Sequence, residues 1–321
     1  MAKARAILKR RKAVRNIKKI TKTMQMIATA KFQKSLKRTV ATKPYTMKVR
    51  ELVAEVARSV EGADHPLLRV AEKPKRVALI VIAGNRGLAG AYNGNVLRRA
   101  SLFLREMKAA GIEVDVYAVG KRAASFFKFA KIPFKPTNPI SDQVAYDEIE
   151  PMAAQVMERF ISEEYDGVSV ASMNFISTGL QKPEITTLLP MSGLAEAADR
   201  MGLDMAQREA QMKAGMLDSR RVATDVAAES VKPTTTSAYE FIPSAEEILS
   251  ELLPLTIKTA LFQSFLDAFT SEHVARMIAM KSATDAADKM AKALSLEANR
   301  ARQTQITTEL SEIMGGVEAM K

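Results

Sequence analysis

The chain has 321 residues, 47% of them hydrophobic, enough to build a substantial core and too apolar for a disordered polymer. It contains no cysteine, which excludes disulfides, thiolate metal sites and any thiol switch. The net charge of +12 is a local device: residues 1–40 carry nine Lys, five Arg and no acid, so that segment alone, at +14, exceeds the excess of the whole chain.

Residues 1–43 lack both Gly and Pro. Apolar side chains recur at Val14, Ile17, Ile20, Met24, Ile27, Phe32, Leu36 and Val40, in steps close to a helical period, and predict one stripe of a long helix. Pro44 is a place for a bend, after which Val49, Leu52, Val53, Val56 and Val60 continue the pattern to about residue 61. The basic, acid-poor start has the composition of a mitochondrial presequence, but it flows unbroken into this helix. No stretch approaches the roughly 20 apolar residues of a membrane span, and no apolar run follows the basic start as a secretory signal requires.

The middle of the chain has a different texture. "RVALIVIAG" (76–84), "VDVYAVG" (114–120), "GVSVASM" (167–173) and "EITTLLP" (184–190) read as strands. Helices are expected over 95–110, 121–131 and 146–163. This alternation predicts an α/β layer with a mainly parallel sheet over 75–190, rejoined by a strand at 234–243. Residues 191–233, polar, helix-prone and rich in Met and Ala, read as an insertion. From Leu255 to Met314 Gly and Pro are again absent. Met277, Met280, Thr284, Ala287, Ala291, Leu294, Ala298 and Ala301 step three and four, as a coiled-coil seam does; Ile306, Leu310, Ile313, Val317 and Met320 repeat the pattern after a phase shift. A wholly helical 255–321 would be ~100 Å long. The small seam residues imply a thin helix pair.

Chemistry is sparse. "AGNRGLAGAYN" (83–93) follows a strand and precedes a helix, the setting in which helix N-termini bind phosphates. Its spacing of Gly84, Gly87 and Gly90 matches neither the dinucleotide fingerprint nor a P-loop, which favours a structural turn. His65 and His273 are far apart in sequence and read as packing or surface residues. No nucleophile–base pair, paired carboxylates or metal cluster stands out, so no catalytic site and no cofactor are expected. A cationic helix can also bind nucleic acid, but residues 1–40 offer a single aromatic, Phe32, for base stacking, and the long C-terminal helix would have no purpose there.

Four stretches, "ITKTMQMIATAKFQKS", "NRGLAGAYN", "SEHVARMIAMKSATDAADKM" and "ARQTQITTELSEIMGGVEAM", resemble the gamma subunits of F-type ATP synthases, in the same order along the chain. The resemblance implies an antiparallel coiled coil of the N-terminal (1–61) and C-terminal (245–321) helices with a Rossmann-like α/β domain between them. It implies a rotating central shaft, its coil inside a hexamer of alpha and beta subunits and its α/β domain near the epsilon subunit and the c ring. The complex would be driven by protons at a bacterial cell membrane, with this chain peripheral on the cytoplasmic side. By motif, Met24 and Arg276 correspond to positions facing the beta subunits, and Arg302, Gln303, Thr307 and Glu309 to a polar set bonded to alpha and beta loops. Ile313, Val317 and Met320 would sit in an apolar sleeve at the top of the ring, and Tyr239 and Phe241 in a foot near the c ring. The alternative for each is seam packing or a solvated helix face. The N-terminal apolar stripe is expected to pack on the C-terminal helix, and the Lys/Arg face to meet acidic loops of the beta subunits. Ala89 stands where many relatives carry Cys, and the insertion resembles that of photosynthetic members without the Cys pair of the chloroplast switch.

Overall fold

The computed structural model describes residues 2–59, 65–137, 140–141, 144–191 and 244–318. The strand expected at 234–243 and the insertion beyond Met191 lie outside them. The chain divides into two compact units: Met1–Phe32, Leu88–Gly90 and His273–Lys321 form one, Gln33–Gly87 and Ala91–Glu272 the other. Two helices contribute to both, α1 (Ala2–Ser59) and α5 (Ala245–Glu318).

The α/β unit is built on a five-stranded sheet of β1 (Arg76–Ile82), β2 (Glu113–Val119), β3 (Lys135–Pro136), β4 (Gly167–Phe175) and β5 (Gln181–Leu189), in the order β3-β2-β1-β4-β5. The first four are mutually parallel; β5 runs antiparallel to β4. The mainly parallel sheet read from the sequence is therefore present, and the strands match their expected positions closely. β3 was not legible: two residues carry no periodicity, and Pro136 is tolerated because it lies on an edge. β1 is buried from Val77 to Ile82, with both faces covered, which is why it reads as an unbroken apolar run.

Helices α2 (Tyr92–Ala109), α3 (Lys121–Phe129) and α4 (Tyr146–Ile161) connect the strands. α4 buries Ile149, Ala153, Val156, Met157 and Phe160, and Asp147 and Glu148 in its first turn complement the helix dipole. The same core receives Leu253, Ile257, Leu261, Phe265, Ala268 and Phe269 from α5. A salt bridge of 2.7 Å from Lys258 to Glu150 and an edge-on ring contact between Tyr146 and Phe262 join the two helices at the rim.

Near the N-terminal ends of the strands the core closes over a polar cluster. The Asp115 carboxylate accepts from the Tyr165 hydroxyl (2.8 Å) and the Lys135 ammonium (2.7 Å), and pairs with Arg76 at 3.1 Å. Tyr165 also shares a hydroxyl contact of 2.9 Å with Tyr117 and accepts from Arg159. Burial alone raises the Asp115 carboxyl, but the hydrogen bonds from Lys135 and Tyr165 and the charges of Lys135 and Arg76 outweigh it and hold it below its ordinary value. Burial and the bond to Tyr165 push Tyr117 up to about 12. A carboxylate lowered on folding contributes stability that is whole above its unfolded pKa and is lost as pH falls through the lower folded value. Asp115→Asn will therefore flatten the decline of melting temperature below about pH 4; a wild-type slope retained in the variant would show that Asp115 is not the group responsible.

In the helical unit, α1 and α5 pack antiparallel. Lys18 pairs with Asp288 and Thr21 with Thr284, so as one number rises the other falls. Ile7 and Val14 cluster with Ala287, Ala291, Leu294 and Ala298. In the α/β unit the same helices meet through hydroxyls, Ser35 with Thr270 at 2.6 Å and Thr39 with Thr270 at 2.9 Å.

The α5 half of the seam matches its sequence reading; the α1 half does not. Val14 and Phe32 are buried, but Ile17, Ile20, Ile27 and Val40 are exposed, Ile17 by 52%. Val49 is buried as expected; among the described residues the buried positions Ile7, Val14 and Ala28, then Phe32, Thr39 and Thr46, repeat at the seven-residue period of a supercoiled pair. Apolarity missed part of this seam because Ala28, Thr39 and Thr46 are small or hydroxylated. The second α5 register is also not an intrachain seam. Ala301 is the last residue packed against the Ile7 cluster, and beyond it Ile306, Leu310 and Ile313 lie exposed.

Candidate functional site

The glycine loop was the strongest candidate for ligand chemistry, and its geometry argues for a turn. The backbone N–H of Lys121, at the start of α3, donates to Asn85 Oδ1 (3.2 Å), and that of Arg122 to the Gly84 carbonyl (3.1 Å). The Gly84 N–H donates to Asn93 Oδ1 at 2.8 Å. These bonds tie the loop to the start of α3 and fold Asn93 of α2 back onto Gly84, as a structural turn does. The Glu272 carboxylate packs on Gly84 so closely that a Cβ there would lie 2.6 Å from its oxygen.

The glycines are present for close approach. At Gly120, φ is +87° and a Cβ would fall 2.1 Å from the Ala83 carbonyl oxygen. Gly87 faces the Arg122 guanidinium. In the helical unit Gly90 (φ +55°) lies against Ala275 and Ala279 of α5, and Ala89 is buried. His65 accepts from the Leu67 N–H and caps a short 3-10 turn, and His273 is buried, both as packing residues are. Among the described residues no group of His, Cys, Asp or Glu is placed to hold a metal, and no helix is long and apolar enough to cross a membrane.

What remains is surface. Met24 on α1 and Arg276 on α5 are half-buried; Arg302, Gln303, Thr307, Glu309 and Ile313 are exposed, Ile313 by 66%. Thr307 donates to the Gln303 carbonyl and Glu309 accepts from Gln305, both one helical turn away, so these two carry local bonds as well as an outward face. The Val317 side chain, Met320, Tyr239 and Phe241 lie outside the described residues. Sequence reasoning missed the exposed flank of Ile17, Ile20 and Ile27; a seven-residue template laid over 1–50 in place of a bare hydrophobic count would have separated it from the seam.

Toward the end of α5, Ile306, Leu310 and Ile313 present apolar groups outward beside the exposed polar side chains of Arg302, Gln303, Thr307 and Glu309. A family model described as ATP synthase matches residues 3–320. The ATP synthase gamma chain of Rhodopirellula baltica is 40% identical over 322 residues, covering all of both chains, and that of Leptospira biflexa is 40% identical over 321, again covering all of both. The chain belongs to the ATP synthase gamma-chain family.

Solved structures support the fold of that family. A chain of the Euglena gracilis mitochondrial ATP synthase, described as OSCP/F1/c-ring in rotational state 3, aligns with a TM-score of 0.62 at 18% identity, over 99% of this chain and 95% of its own. A chain from the central stalk/c-ring of the Tetrahymena thermophila mitochondrial enzyme aligns with a TM-score of 0.53 at 18% identity, over 82% of this chain and 99% of its own. The function is that of the family, a gamma chain of an ATP synthase. Nucleic-acid binding has no support beside it.

Proposed function

We propose that this chain is the shaft of a proton-driven rotary ATP synthase and holds no catalytic site of its own, catalysis residing on the surrounding beta subunits. Met24, Arg276, Arg302, Gln303, Thr307, Glu309, Ile313, Val317 and Met320 are the contacts with the alpha–beta hexamer, and Tyr239 and Phe241 face the c ring and epsilon subunit. The complex stands at a bacterial cell membrane with this chain peripheral on its cytoplasmic side.

One observation carries the reading: beyond Ala301, the last residue packed against the Ile7 cluster, the α5 side chains Ile306, Leu310 and Ile313 are exposed among the described residues. A lone amphipathic helix end is marginal in water and gains most of its order from a sleeve around it. The exposed flank of Ile17, Ile20 and Ile27 is a second surface for such a sleeve, and Lys9, Lys12, Arg15, Lys19 and Lys22 line the rest of α1's outside with cations. Charge there suits a turning contact, because water and salt screen it and no single angle is strongly preferred.

The test is a pull-down of alpha and beta subunits followed by ATPase assay, using the full chain and a chain lacking residues 302–321. The full chain retains both subunits through washing. The truncated chain loses retention at least tenfold, and the hydrolysis of the assembled complex falls with it. Equal retention by both chains would place the ring contacts elsewhere.

A further inference from the structure

The seam that lets the helices approach closely also resists sliding poorly. Ala287, Ala291 and Ala298 offer knobs barely larger than backbone, and such a surface presents little obstacle to axial displacement. Yet a shaft transmits twist only if its two helices do not slip along one another. The polar pairs across the seam supply what the alanines do not.

Thr284 is buried and donates to Thr21 Oγ1 at 2.8 Å. Thr21 in turn donates to the Lys18 carbonyl (3.1 Å), while the Met280 carbonyl lies 2.7 Å from the Thr284 oxygen as a competing acceptor for its single proton. With χ1 of both residues stiffened by β-branching and Thr21 bonded to its own helix, the contact does not depend on two freely mobile side chains. One turn away Lys18 donates to Asp288. The sequence offers no substitute if the pair slides by one seven-residue repeat. In one direction Thr21 meets Ala291 and Lys18 meets Ser295; in the other Thr21 meets Met277 and Lys18 meets Lys281, cation against cation. Both displaced registers lose both contacts, although the alanine knobs would still find holes.

We infer that Thr21–Thr284, supported by Lys18–Asp288, is a register pin that prevents axial slip of α1 along α5, and that these are positioning residues for torque transmission. The pin acts within the helical unit and needs no partner subunit, so it can be tested apart from the ring.

Because the chain has no cysteine, two introduced thiols are the only ones present. In the full-length protein, Val14→Cys with Ala291→Cys reports the native register, and Val14→Cys with Ala298→Cys one displaced by a repeat, ~10 Å along the axis. In the background Thr21→Val with Lys18→Met, which keeps side-chain bulk and removes the polar groups, the ratio of displaced to native cross-link rises at least threefold while helicity by circular dichroism is unchanged. Thr284→Val with Asp288→Asn, from the other helix, gives the same rise. Thr21→Ser with Lys18→Arg, which keeps hydroxyl and cation, stays at the wild-type ratio. An unchanged ratio in both polar-deleted backgrounds overturns the pin, and so does an equal rise in the conservative variant, since bulk rather than hydrogen bonding would then set the register.

Discussion

Gly120→Ala will lower the stability of the α/β unit by about 4 kcal/mol, close to the whole margin of a modest domain. Two independent costs add. The residue sits at φ +87° and ψ +147°, a region that is essentially glycine-only and costs an L side chain about 1–3 kcal/mol. The new Cβ would also lie 2.1 Å from the Ala83 carbonyl oxygen, so the end of β1 or the start of α3 must shift, an overpacking cost of about 1–3 kcal/mol. Shifting that turn disturbs Lys121 and Arg122, whose N–H groups bind the glycine loop. In a thermal melt the transition moves down by about 10 °C. Gly94→Ala is the matched control: Gly94 lies inside α2 with nothing within 4 Å of its Cβ, so the change gains up to about 1 kcal/mol. If the two variants melt together, the account of Gly120 is wrong.

Phe265→Ala will cost about 3–5 kcal/mol, and Phe265→Leu less than about 1.5. Phe265 is completely buried, stacks on Phe269 at 6.5 Å between centroids, and belongs to the stripe by which α5 joins the core of the sheet. Its loss leaves a cavity in the core that this helix shares with the sheet, where neighbours held by their own elements cannot collapse to fill it. The effect goes beyond stability. This stretch of α5 belongs to the core of the α/β unit, so its loosening will show in the assembled complex as well as in the free chain. The measurement is urea unfolding of the free chain together with the ATPase rate of the assembled enzyme. An Ala variant as stable as the Leu variant would mean that the site relaxes freely and Phe265 is not an anchor.

The strands were legible because a sheet covered on both faces leaves an unbroken apolar signature, as in Val77–Ile82, and because Gly84 and Gly120 punctuate their ends. The α5 seam was legible because Met280, Leu294 and the alanines recur at coiled-coil spacing with nothing to compete. The α1 seam was misread for a reason of the same kind. Ile17, Ile20 and Ile27 point outward, while the seam runs through Ala28, Thr39 and Thr46 as well as Ile7, Val14 and Phe32. Hydrophobicity locates a buried face only when burial is the sole demand on a helix. Here an outward apolar flank competes for the same residues.

The polar interior was invisible in the sequence. Nothing in the separation of Asp115, Lys135 and Tyr165 announces that their side chains converge within 3 Å, because the sheet order that brings β2, β3 and the end of α4 together is a long-range fact. Nor could the sequence put the Glu272 carboxylate on Gly84, the close approach that demands glycine there.

By itself, then, the amino-acid sequence determined the elements and their kinds: two long breaker-free helices, an alternating α/β segment between them, and a cationic N-terminal stretch, each written in local spacing and composition. The tertiary structure alone decided which face of α1 meets α5, through which hydroxyls, and which glycines are forced by a neighbour. The division has a physical cause. Helix and strand formation depend on periodicity within a dozen residues, whereas register and close approach depend on groups hundreds of residues apart, whose distance no local pattern encodes.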